Sequence, residues 1–86
     1  MGLVWRSVPA DRLEAEAQAM IERFRGLSAS ALRLARRTMR GAVRMPLPQA
    51  IAEATDLQAR SIPEMADAQE GLRSFIEKRA PVWSHK

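Results

Sequence analysis

Catalysis usually rests on a thiol, an imidazole or a pair of carboxylates, and this 86-residue chain is poor in the first two. It has no Cys and one His, His85, next to its last residue. Disulfides, thiolate metal sites and a histidine metal cluster are therefore excluded. A nucleophile needs a base beside it, and the one imidazole lies in a segment expected to be a solvated tail. Carboxylates able to do acid–base work are present: Glu14, Glu16, Glu22, Glu53, Asp56, Glu64, Asp67, Glu70 and Glu77. Helix caps and exposed helix positions account for all of them at lower cost. Gly2, Gly26, Gly41 and Gly71 lie too far apart to cradle a phosphate. The sequence thus predicts no catalytic residue and no metal ligand.

The strongest physical signal is basic. The formal charge is +4, and Arg33, Arg36, Arg37, Arg40 and Arg44 account for most of the excess. Guanidinium groups recognise phosphates through several planar donors, so a basic helical module meeting nucleic acid or an acidic partner is one reading of the Arg33–Arg44 stripe. A solvated helix face is the plainer one. Trp5, Phe24, Phe75 and Trp83 lie away from the stripe, so the aromatic interleaving that single strands use is missing. Nucleic acid is not the expected partner.

The elements that would carry these residues are helical. Residues 2–9 read as a short extended segment in which Val4, Trp5 and Val8 suit a strand and Pro9 ends it. Asp11 and Glu14 have capping-box spacing ahead of an apolar stripe of Leu13, Ala17, Met20, Ile21 and Phe24, and Gly26 is placed to stop that helix. Ser28 is the expected N-cap of a second helix to about Val43, with Leu32, Ala35, Met39, Ala42 and Val43 on one face. Pro48 suits the first position of a third helix running to about Ser61. Pro63 must end or kink it and push Ile62 out of the helical region. Asp67 and Glu70 repeat the capping-box spacing before a fourth helix that Ala80-Pro81 stops, leaving residues 82–86 as a tail. Residues 1–86 form one helical domain, and the longest uncharged runs fall far short of a membrane span. A chain this small buries only about 60–65% of its unfolded surface, so a homo-oligomer is expected.

Three stretches carry a family resemblance: Gly2-Leu3-Val4-Trp5-Arg6-Ser7-Val8-Pro9, Leu27-Ser28-Ala29-Ser30-Ala31-Leu32, and Asp67 through the Glu77-Lys78-Arg79-Ala80-Pro81-Val82-Trp83 run. Their order and spacing resemble the C-terminal third of the crotonase superfamily, the enoyl-CoA hydratase/isomerase enzymes. The resemblance implies an all-α fold of three to four helices after a short N-terminal extended segment, like the C-terminal trimerisation region of crotonases. It implies that the catalytic spiral core precedes this chain, so no catalytic residue carries over. It also implies that this segment assembles subunits, as a trimer or hexamer, and borders the CoA site without activity of its own. Coenzyme A thioester would be the substrate of the parent enzyme, in hydration or isomerisation of an enoyl bond. In relatives, the Phe and Lys of the Phe-x-Glu-Lys-Arg run reach the adenine and phosphate end of CoA; here these are Phe75 and Lys78. The competing reading is that Phe75 is core and Lys78 solvated. Ser74 stands where Ala is usual, and Ile62-Pro63 departs from a longer third helix. An oligomerisation module without ligand is the remaining alternative. A cytoplasmic location and no membrane partner are expected.

Overall fold

The computed structural model describes residues 2–86 and contains four α-helices: α1 (Leu13–Arg25), α2 (Ala29–Ala42), α3 (Leu47–Ser61) and α4 (Ala66–Glu77). Two 3-10 turns, Ala10–Arg12 and Ile62–Glu64, lead into α1 and follow α3. The all-α expectation holds, with the boundaries of α2 and α3 within two residues of those the pattern predicts.

Residues 2–9 form no regular element, bend at Leu3 and Trp5, and join no ladder, because no second strand exists among the described residues to receive their backbone groups. Arg6 instead pairs with Glu16 at 3.0 Å, and the Arg23 guanidinium lies 6.0 Å from the Trp5 ring centre. The Asp11–Glu14 capping box does not form. Pro9, with φ −56°, starts the chain turning two residues before Asp11, and its carbonyl accepts from the Arg12 amide at 2.9 Å. Gly26 ends α1 as expected, yet at φ −75°, in the right-handed region.

Ser28 is the predicted N-cap: its hydroxyl accepts from the Ala31 amide at 3.2 Å. Pro48 sits in the first turn of α3, one residue later than expected, and Pro46 precedes the helix. Ile62 is not expelled from helical geometry. It keeps φ −61° and ψ −44°, and Met65, at ψ 116°, is where the chain finally leaves it. The 3-10 turn absorbs Pro63 within its first two positions, where no amide donor is needed.

The layout is flat and open, 44 × 39 × 18 Å, with a radius of gyration of 16.4 Å. A compact chain of this length would have about 12 Å. Its accessible surface is 7451 Å², against about 5,100 Å² for a self-contained protein of the same mass. The interior is inverted. Ala50 is the one buried apolar residue among the described ones, while Ser28, Ser30, Asp67 and Ser74 are buried and polar. Leu72, Phe75 and Ile76 on α4 face solvent, as do Leu13 and Phe24 on α1.

Candidate functional site

Asp67 organises the one densely bonded region. It lies one residue inside α4 and makes no capping box with Glu70; Met65 is the N-cap residue and gives no side-chain bond. The Asp67 carboxylate, 3% exposed, instead accepts from the Ser84 amide at 2.7 Å, the Ser84 hydroxyl at 2.8 Å and the His85 amide at 3.0 Å. Ser28 and Ser30, at the start of α2, donate to it from the other side at 2.5 and 3.3 Å. Burial alone would raise this carboxyl; the bonds from Ser28, Ser84 and Ser30 outweigh it and hold it down at about 2. No buried side-chain polar atom among the described residues lacks a partner.

The expected loose tail is therefore a strap. The Trp83 indole donates to the Gly26 carbonyl at 3.0 Å, and Arg33 donates to the His85 carbonyl at 2.8 Å. His85 Nδ1 accepts from the Ala29 amide at 3.3 Å, which occupies a donor that the helix itself leaves free. The looseness expected of the tail is thereby corrected: His85 stays exposed, but Asp67, 18 residues earlier, holds its amide and draws it back against α2. Gly71 makes room for the strap, because a Cβ there would meet the Trp83 ring at 3.5 Å.

The Glu77-Lys78-Arg79 run builds the turn that sends the chain back. Lys78 is left-handed, φ 53°, and closes α4 with its amide on the Phe75 carbonyl at 3.3 Å and the Arg79 amide on the Ser74 carbonyl at 3.1 Å. Arg79 then grips both oxygens of Glu70, at 2.6 and 3.0 Å. The Val82 amide adds a bond to Glu70 at 2.9 Å. Those two donors hold the Glu70 carboxyl down at about 2, and Glu70 with Glu77 raises the Arg79 guanidinium.

Phe75 and Lys78 lie within one turn of each other at the exposed end of α4, and Phe75 is 82% exposed. In this chain Phe75 is not a core residue. Asp67, Glu70, Ser84 and His85 escaped the sequence reading as a site. Glu70 and Arg79 are nine residues apart, and only the reversal at Lys78 makes them neighbours. The repeated Asp-x-x-Glu spacing was the available signal, but it reads as a cap.

The Enoyl-CoA hydratase/isomerase family model matches residues 1–86. This chain belongs to that family. It is 36% identical over 87 residues to the mitochondrial enoyl-CoA hydratase domain-containing protein 3 of Rattus norvegicus, covering 98% of this chain and 28% of the relative. A probable enoyl-CoA hydratase of Mycobacterium bovis is 39% identical over 85 residues, covering 99% of this chain and 33% of its own length. The crystal structure of an enoyl-CoA hydratase/isomerase from Mycobacterium paratuberculosis superposes with a TM-score of 0.90 at 30% identity, over 99% of this chain and 33% of that one. The chain thus spans about a third of the relatives it matches and corresponds to the C-terminal helical part of the crotonase fold. No helix among the described residues is long and apolar enough to cross a membrane.

Proposed function

We propose that this chain is the assembly and CoA-bordering segment of an enoyl-CoA hydratase/isomerase, inactive alone. The observation that carries the reading is the surplus of surface, about 2,400 Å² beyond a self-contained chain of this mass. That is the size of a permanent interface. It is lined by apolar side chains such as Leu72, Phe75 and Ile76 that a lone domain would bury. Polar groups are satisfied internally, so what the chain needs from outside is apolar contact: the rest of the parent protein and neighbouring subunits of a trimer or hexamer.

The parent would hydrate or isomerise the enoyl bond of an acyl-CoA in fatty acid metabolism. Phe75 would stack on the adenine and Lys78 would meet a phosphate of CoA bound in a neighbouring subunit. Exposure of Phe75 and the placement of both at one helix end support this. The cytoplasm is the compartment proposed for it, since a cysteine-free chain needs no oxidising surroundings.

Two measurements test the reading. The purified chain should not hydrate crotonyl-CoA, and measurable turnover would refute its inactivity. Sedimentation should show it self-associating as concentration rises, and a monomer that persists at high concentration would remove the assembly role.

A further inference from the structure

Residues 23–52 contain seven arginines and no Asp or Glu. Outside that stretch Arg6, Arg12, Arg60 and Arg79 each lie against a carboxylate, and within it Arg25 pairs back to Glu22. The five on and just after α2 have no such partner among the described residues, and all are exposed. At 100° per residue, Arg33, Arg36, Arg37 and Arg40 fall within about 100° of arc, and Arg44 continues the line, giving a row about 16 Å long.

The rest of α2 explains which way this row looks. Ala31, Leu34 and Ala35 line a cavity of about 400 Å³ shared with α3, α4 and Trp83. Thr38 and Ala42 turn to α3 in the same way. The inward face of the helix is therefore occupied; Arg37 borders the cleft that Glu53 and Asp56 line from α3, Arg33 reaches the His85 carbonyl, and Arg36, Arg40 and Arg44 point to solvent. Burying the row against apolar surface in any larger assembly would strand five charges, which is strongly unfavourable. A partner that covers this face must bring anions at regular spacing.

Three kinds of polyanion could do so, and two fit poorly. A membrane-bound helix inserts its apolar face, and that of α2 is turned toward α3 and α4. A single nucleic-acid strand needs aromatic platforms, and the aromatic residues lie off the row. A duplex requires only donors aligned along phosphates, and guanidinium groups suit phosphate oxygens.

We infer that the α2 arginine row docks on the phosphate backbone of a nucleic-acid duplex without reading its sequence. The test is fluorescence anisotropy of a labelled DNA duplex titrated with the chain across a salt series. With five phosphates neutralised, the slope of log K against log salt should be about −4.5, an affinity loss of about two to three orders of magnitude between about 50 and 200 mM salt. Arg36→Gln, Arg40→Gln and Arg44→Gln together should flatten the slope by about 3, whereas their Lys counterparts should retain most of it. Arg33 is left in place because it holds the His85 carbonyl. Arg25→Gln with Arg60→Gln, which removes two paired arginines, should leave the slope unchanged. Circular dichroism confirms that each variant is folded. A slope that the triple Gln variant leaves unchanged overturns the inference. So does tighter binding to phosphatidylserine vesicles or to polyglutamate than to the duplex at equal charge.

Discussion

The strap region and the outer face of α4 belong to the same helix and obey opposite rules. Around Asp67 every buried side-chain polar atom has a partner, supplied by Ser28, Ser30, Ser84 and the strap backbone. Further along the same helix, Leu72, Phe75 and Ile76 are left in water. A stranded buried carboxylate or amide is costly at once, so hydrogen bonding must be completed inside the chain. Apolar burial is non-directional and accumulates with area, so it can be left for another surface to complete. The chain is finished in its polar contacts and unfinished in its apolar ones.

Removing the polar side should do most damage. Asp67→Ala removes the buried carboxylate that pairs the Ser84 and His85 amides at a partly buried site. The expected outcome is a fall in Tm of about 10 °C or more, with residues 83–86 becoming open to protease and Trp83 fluorescence shifting to the solvated value. An unchanged Trp83 signal would show that the strap does not depend on Asp67.

Acid should weaken the same region. Asp67 and Glu70 both titrate near 2 in the folded chain and near 4 when unfolded. As pH falls, the unfolded state takes up their protons first. Their stabilising contribution is complete above about pH 4.5 and is lost as the pH drops through about 2. Circular dichroism against pH should show helix loss in that window, and Glu70→Gln should flatten the acid limb.

The apolar side is sharpened by Phe75→Asp. It removes an exposed ring and adds charge to the face, so association measured by sedimentation should weaken about tenfold or more, with helix content kept. A loss of helix in the monomer would mean that Phe75 also supports the fold. Ser28→Ala removes the α2 N-cap and one Asp67 donor and should cost about 1–2 kcal/mol in chemical denaturation. The smallest expected effect separates fold from ligand. Lys78→Gly relieves the left-handed φ of 53° and should stabilise the chain by about 1 kcal/mol. In an enzyme assembled with this segment, the same change should raise KM for acyl-CoA while kcat is kept.

Much of the helical layout was legible from local signals. Ser28 caps α2 because a hydroxyl reaching the Ala31 amide is a short-range event, and the prolines mark the entry to α3 within one residue. The Asp11 and Asp67 capping boxes failed for tertiary or neighbouring reasons. Pro9 starts its turn before Asp11, and five longer-range donors outcompete the cap role for Asp67. Phe75 and Lys78 were nameable only through the family run, since neither spacing nor hydropathy separates a ligand-facing ring from a core ring.

By itself the sequence determined an all-α chain of three to four helices, without thiols or a histidine cluster, and membership of the enoyl-CoA hydratase/isomerase family. These rest on composition, on contacts within a turn and on a contiguous motif. Only the tertiary structure decided that residues 82–86 fold back, that His85 meets the start of α2, and that the interior is polar while the apolar side chains face out. Those outcomes depend on the reversal at Lys78, which brings Arg79 to Glu70 and Ser84 to Asp67 across gaps that a local pattern does not encode.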